Sequence, residues 1–386
     1  MTLQTIAQLI MLATLILMIT GRTPIYMTAI TGAAISAIVA GFPLAGGQGM
    51  TVTKMIVSGL NPVIADMTGI LLFIGIMQAT GFLDVIIRDI VRVGNKIGGG
   101  VGVGAAGGVA AGVIGALTGF THPTQVAILA TAGIGYGLFN VLGLIAAGSI
   151  FVMSAIRITI DMKRRGVKID AAEKERILKE IESREYSTTS WKAFFPFIVL
   201  VVGFIAGMPI FLVGLASAMA TMILAHSKPK EAEAAMMKGV SLIATPLVAT
   251  IGFLFMSTVI REIGMVNTMS TLVSPVMSIS PVLVLFGVAF LTGFMTQSYA
   301  ASVAVLVPFL QVTLQAGADP FAAAFAAASG ASLIQYFLTG GPVAALATVI
   351  PVIPGSDLKG ANAFQRPSIL FGCLVAFLIT FCLNLL

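Results

Sequence analysis

The chain has 386 residues, of which 58% are hydrophobic and 9% charged, and its mean hydropathy is +1.06. No soluble domain of this length has that composition, so the chain reads as a polytopic helical membrane protein. It offers no soluble region large enough for an enzyme active site, an ATPase motor or a nucleic-acid module, and Lys and Arg held in cytoplasmic loops account for its net charge of +6.

Apolar runs of about 17–25 residues mark membrane spans. They lie near residues 3–20, 24–41, 62–81, 99–133 (interrupted), 137–160, 193–207, 209–226 and 241–260. A broken or re-entrant element follows at 281–313, then a second broken helix at 320–354 and a last helix at 367–386. Met1 to Ala7 carries no Lys or Arg and no small-residue cleavage site follows, so the first run is expected to stay in the membrane as a helix. Phe82–Lys96 and Arg261–Val276 are amphipathic and suit the membrane interface. Gly98-Gly99-Gly100 lacks the lysine and hydroxyl of a phosphate-binding loop. Sixteen of the 36 charged residues lie between Asp161 and Lys192. The chain therefore divides into a first membrane repeat at 1–160, a charged cytoplasmic linker at 161–192 and a second membrane repeat at 193–386. Within the linker, Ala171 to Tyr186 has helical charge spacing, as in Glu175–Lys179, and Trp191 beyond it suits an interfacial anchor. Cys373 and Cys382, nine residues apart on one helix, cannot pair there and are read as packing residues.

The two halves follow one order. Gly21-Arg22-Thr23-Pro24 turns the first pair of runs and Gly207-Met208-Pro209 the corresponding later pair. Ile70–Ala79 runs into Gly81-Phe82-Leu83, and Ile251–Val259 into Gly264-Met265-Val266. A Thr-Gly-Phe triplet follows in each half. That order describes a duplicated unit. With the N-terminus outside and residues 99–133 crossing once, eighteen basic residues fall inside, including Lys359 and Arg366, and only Lys54 and Arg261 fall outside. Five crossings then precede the linker and the second repeat enters inverted. A hairpin at 99–133 would instead make the repeats parallel, and the likeness of 137–160 to 320–337 favours that count; charge parity favours the first.

The polar residues that interrupt the apolar runs are the candidate site. Non-helical backbone survives at bilayer depth only where protein buries it or a cavity hydrates it. Paired breaks are the best sequence pointer to a transporter's binding site. The first break gives Thr118, Gly119, Thr121, Thr124 and Gln125 as substrate-binding candidates, with His122 for coupling to a proton. The helix restarting at Pro123 points its amides at an anion. The second gives Thr292, Gly293, Thr296, Gln297, Ser298 and Ser302, at the tip of a re-entrant hairpin. The third, Thr339-Gly340-Gly341-Pro342, gives Thr339 and Gly340, and Ser329, Ser332 and Gln335 precede it near one helical face. Ser332 and Gln335 are candidates for ion coupling. Thr118–Pro123 and Thr339–Gly341 offer carbonyl and hydroxyl oxygens to Na+. The competing readings are a turn at the membrane surface for the first break, with His122 an interfacial residue, an ordinary loop between two short spans for the second, and a plain helix crossing at the glycine pair of the third. Asp66, at the outer end of its run, is the nearest acid and reads as a cap. Arg157 is a candidate partner for a substrate carboxylate, with snorkelling to the cytoplasmic surface the favoured reading. Scarcity of buried acids favours an anionic substrate over a cation.

These motifs resemble the ion transporter superfamily, and within it the large permease subunit of TRAP dicarboxylate transporters. The residues that carry the likeness are the Gly-x-x-Pro and Gly-x-Pro turns and Ile70-Leu71-Leu72-Phe73-Ile74-Gly75. In the second half they are Leu291-Thr292-Gly293-Phe294 through Val305-Leu306-Val307-Pro308, Ala316-Gly317-Ala318-Asp319-Pro320 and the Thr339–Pro342 break. The resemblance implies inverted repeats whose hairpin tips and broken helices meet around substrate and sodium, moved as an elevator against a scaffold, often in a homodimer. The first half is one hairpin short of that plan.

The combined expectation is an all-α polytopic protein of the inner (plasma) membrane, with two inverted-topology repeats, broken helices and at least one re-entrant hairpin. It would be a secondary active transporter of small organic anions, di- or monocarboxylates, coupled to Na+ or H+, with no other cofactor and no nucleic-acid partner. Membrane lipid surrounds it. The alternatives are a cation/proton antiporter of the same superfamily, or a permease subunit dependent on a periplasmic binding protein and a small membrane partner.

Overall fold

A computed structural model describes residues 2–20, 25–46, 49–58, 62–86, 88–89, 123–164, 166, 175–176, 179, 186, 188–206, 208–242, 244–277, 279–296, 299–337 and 358–385. Among these the fold is all helical. The fifteen helices are α1 (Leu3–Thr20), α2 (Ile25–Val39), α3 (Val52–Ser58), α4 (Pro62–Ala79), α5 (Pro123–Ala132), α6 (Leu138–Arg164), α7 (Ser190–Ile205) and α8 (Ile210–Leu224). They continue with α9 (Pro229–Leu242), α10 (Ala244–Glu262), α11 (Met265–Met277), α12 (Pro281–Thr296), α13 (Tyr299–Gln315), α14 (Pro320–Ile334) and α15 (Leu358–Leu385).

Most expected spans lie where the apolar runs put them. Two helices were not expected. The short α3 and the charged α9 fall between apolar runs, where hydropathy gives no signal. The last helix also begins at Leu358, well before Pro367, the expected start. The proline sits inside it, after its first two turns. The proposed hairpin at 281–313 is two packed helices, α12 and α13, flanking residues 297–298.

The chain forms two compact units, and each draws on both halves of the sequence. The larger comprises Met1–Ile64, Val109–Ile150 and Thr245–Leu386. At its centre stands α14. Asp319 caps its start, a carboxylate oxygen accepting from Ala322 N at 2.8 Å, with Pro320 in the first turn. Every residue from Ala322 to Ile334 is buried. Alanine, glycine and serine make that possible by letting neighbours come close. A Cβ on Gly293 of α12 would stand 2.8 Å from Ala331 Cα, and one on Gly330 would stand 2.9 Å from Ala289 Cβ, so these two glycines set the α12–α14 crossing. Phe139 meets Phe325 edge-on at 6.0 Å, and Phe286 meets Phe377 at 5.6 Å. In the same unit α1 and α2 form a hairpin, and Gln8 of α1 donates from Nε2 to Ile263 O at 2.9 Å.

The second unit comprises Ala65–Gly108 and Phe151–Ala244. Here α7 and α8 form the hairpin, and α4 packs through glycines: a Cβ on Gly69 would stand 2.6 Å from Phe211 Cα, and one on Gly75 2.7 Å from Gly239 Cα. Phe73 and Phe197 meet edge-on at 5.0 Å. Arg88 reaches Asp89 and Ser190 Oγ, at 2.8 and 2.7 Å, and lies 4.5 Å from the centre of the Tyr186 ring. Glu175 and Lys179 pair at 2.9 Å as their spacing suggested, on an exposed surface where such pairs add little.

Two turns recur across the halves. Gly81 ends α4 at φ +73° with its N–H on Gln78 O, and Gly264 ends α10 at φ +72° with its N–H on Arg261 O. Gly133 ends α5 and Gly317 ends α13, each in the left-handed region, and the next residue donates to the carbonyl five back (Ile134 to Leu129, Ala318 to Thr313).

Leu138–Asp161 in α6 and Asn362–Leu385 in α15 are apolar stretches of 24 residues. At 1.5 Å per residue each runs about 36 Å, enough to cross a hydrocarbon core of ~30 Å. Eight further apolar helices are shorter. Leu370, Leu374, Phe377, Leu378 and Phe381 form an exposed stripe along α15, a surface suited to lipid.

Candidate functional site

Five of the residues singled out in the sequence meet in the larger unit. Gln125 Nε2 donates to Ser332 Oγ at 2.9 Å. Gln335 Nε2 donates to Ser302 Oγ at 3.2 Å, and Ser302 and Thr296 share a hydroxyl–hydroxyl bond of 3.0 Å. Gln125, Ser302, Ser332 and Gln335 are buried to 1% exposure or less, and Thr296 is half-buried. Buried neutral polar groups must find partners, and these find one another across elements 207 and 33 residues apart in sequence.

Helix ends bring them together. Gln125 is the third residue of α5 and Ser302 the fourth of α13, so both stand in first turns whose amides are not used within the helix. Thr296 is the last residue of α12, and Gln335 is the C-cap of α14. Two N-terminal and two C-terminal ends are thus tied together by side chains. Such ends carry partial positive and negative charge, which suits an anion and a cation respectively. Amides and hydroxyls both donate and accept, so the same groups that bond one another can rebond to a ligand.

The other expected site residues separate into three groups. Thr118, Gly119, Thr121, His122, Gln297, Ser298, Thr339 and Gly340 lie outside the described residues, as do both stretches suggested for Na+, up to the start of α5 at Pro123. Thr124 falls in the first turn of α5. Thr292 is buried on α12 one turn before Thr296. Gly293 is a packing position pressed against the backbone at Ala331, and Ser329 donates to Phe325 O of its own helix at 2.6 Å.

Three polar residues of α15 escaped the sequence reading, and a fourth, Arg366, was counted there only as an inside charge. Asn362, Gln365 and Ser368 are buried, and Arg366 is half-buried. Asn362 Nδ2 donates to Tyr336 O at 3.2 Å and Arg366 Nε to Phe337 O at 3.1 Å, so residues one turn apart hold successive carbonyls where α14 ends. The Arg366 guanidinium lies 5.3 Å from the Phe337 ring centre, and that ring meets Phe294 of the second Thr-Gly-Phe triplet at 5.9 Å. Their spacing of three and four in an otherwise apolar run was the available signal. Placing the helix start at Pro367 hid it.

No family model and no curated protein sequence matches the chain. Among solved structures it is similar to the YdaH transporter of Alcanivorax borkumensis, with a TM-score of 0.55 and 14% identity over 97% of each chain. The chain thus shares the helical fold of that membrane transporter. That likeness covers both halves and the linker, and it does not reach the narrower TRAP large-permease resemblance.

Proposed function

We propose that the chain is a secondary active transporter of small organic anions, di- or monocarboxylates, coupled to Na+ or H+. The observation that carries the proposal is the junction of four helix ends through Gln125–Ser332 and Gln335–Ser302–Thr296. A solvent-facing loop has no need of it, and a passing polar solute does. The broken-helix site of secondary transporters is built in this way, with N-terminal ends toward the anion and C-terminal ends and carbonyls toward the coupling ion. Among the described residues the five-membered junction contains no carboxylate, which favours an anion as cargo over a cation.

The paired glycine turns, Gly81 with Gly264 and Gly133 with Gly317, support a duplicated unit. So does the exchange between halves: each unit holds the opening hairpin of one half beside the glycine-ended helix of the other. On this reading the repeats are inverted, and the unit that carries the junction is the moving part of an elevator.

The test is uptake of radiolabelled succinate by proteoliposomes of the purified chain, under an inward Na+ gradient and separately under a pH gradient. Accumulation above equilibrium under one gradient supports the proposal. Na+/H+ exchange without carboxylate uptake would replace it with the antiporter reading. Uptake only when a binding protein and small membrane partner are added would make the chain a permease subunit.

A further inference from the structure

We propose that Arg366 is the residue that selects for negative charge at this site, reading a substrate carboxylate at the end of α14 opposite the neutral junction. The inference rests on the anion-transport reading above and deepens it. Arg366 lies inside the apolar stretch Asn362–Leu385, where a charged side chain is costly and is kept for a partner or a function. Among the described residues no carboxylate pairs with it, and its partner is the backbone oxygen of Phe337.

Its direction is also informative. A snorkelling arginine extends away from the protein, but Arg366 turns its Nε onto Phe337 O and its guanidinium toward the Phe337 ring. Asn362 takes the neighbouring carbonyl, Tyr336 O, so one backbone oxygen occupies one of the five guanidinium N–H groups. The two terminal nitrogens keep a planar pair of donors, the geometry that matches a carboxylate. Phe337 is two residues past Gln335 of the junction, at most ~7.6 Å between Cα atoms. The junction and the guanidinium are therefore both held at the C-terminal end of α14. Asn362 Oδ1 and Ser368 Oγ are buried with no hydrogen-bond partner among the described residues. Unmet polar atoms of that kind are uncommon in interiors, and these two belong to α15 residues four before and two after Arg366.

The experiment compares succinate, succinamate and succinamide as ligands of the purified full-length chain in detergent with Na+ present, reading apparent affinity from thermal stabilisation. Wild type should prefer succinate over the uncharged diamide roughly 10- to 100-fold, the worth of a charge-assisted hydrogen bond. Arg366→Gln should bring the three ligands to near-equal affinity. Arg366→Lys, which keeps the charge and loses the planar fork, should fall between. Arg261→Gln, at an exposed pair with Glu262, should leave the preference as in wild type. If Arg366→Gln elutes as aggregate, the lysine variant carries the test, and a wild-type preference in it overturns the proposal. A wild-type preference in Arg366→Gln also overturns it while leaving anion transport standing. A wild-type protein that does not distinguish succinate from succinamide overturns both.

Discussion

Helices α14 and α15 are both apolar, and they use polar residues in opposite ways. Helix α14 is buried on all sides, so Ser329, Ser332 and Gln335 can only face protein, and two of the three reach out to α5 and α13. Helix α15 presents leucine and phenylalanine outward along its length and confines its buried amides and its arginine to its first turns, beside the end of α14. The polar side chains that reach from these two helices to their neighbours therefore sit near helix ends, and the apolar stripe of α15 is the surface suited to lipid. Small residues let neighbours close around α14, and two of its polar side chains become connections.

The largest effect should come from spoiling that enclosure. Gly293→Leu places side-chain atoms where Ala331 backbone already lies, and should cost about 3 kcal/mol with loss of uptake, seen as a lowered unfolding temperature in detergent. Gln335→Ala keeps the crossing but removes the donor to Ser302, so uptake of labelled succinate should fall roughly tenfold while the protein still elutes as folded. Thr296→Ala is milder, because Ser302 keeps its bond from Gln335. Uptake should drop severalfold at unchanged expression, a loss near 1 kcal/mol. Leu374→Ala on the exposed stripe should change unfolding by no more than about 0.5 kcal/mol. A large loss there would mean that α15 is covered by protein and not by lipid.

Much of this was legible in the sequence. Gln125, Thr296, Ser302, Ser332 and Gln335 stood out because a polar side chain inside an apolar run must have a partner, and all five have one. The sequence could not say which partner. Gln125 of the first half bonds Ser332 of the second, a pairing set by packing and not by spacing. Gly293 shows the converse difficulty: a glycine beside a threonine looks the same whether it lines a site or lets two helices touch. Arg366 was counted only as a loop charge, since Pro367 looked like a helix start. At the tenth position of α15 a proline removes a backbone hydrogen bond within the helix, so its residue type argues for a start and not for an interior place. Helix α9 was missed because its period is amphipathic and its content is charged, which a hydropathy window averages away.

The most direct measurement is a double-mutant cycle on the bond that joins the halves, Gln125→Ala and Ser332→Ala, singly and together, read as apparent affinity for labelled succinate in proteoliposomes. If the two side chains act as one junction at the site, each single variant loses roughly tenfold and the double loses little more. Losses that multiply to about a hundredfold, or single variants with wild-type affinity, would mean that the two breaks do not serve one substrate site.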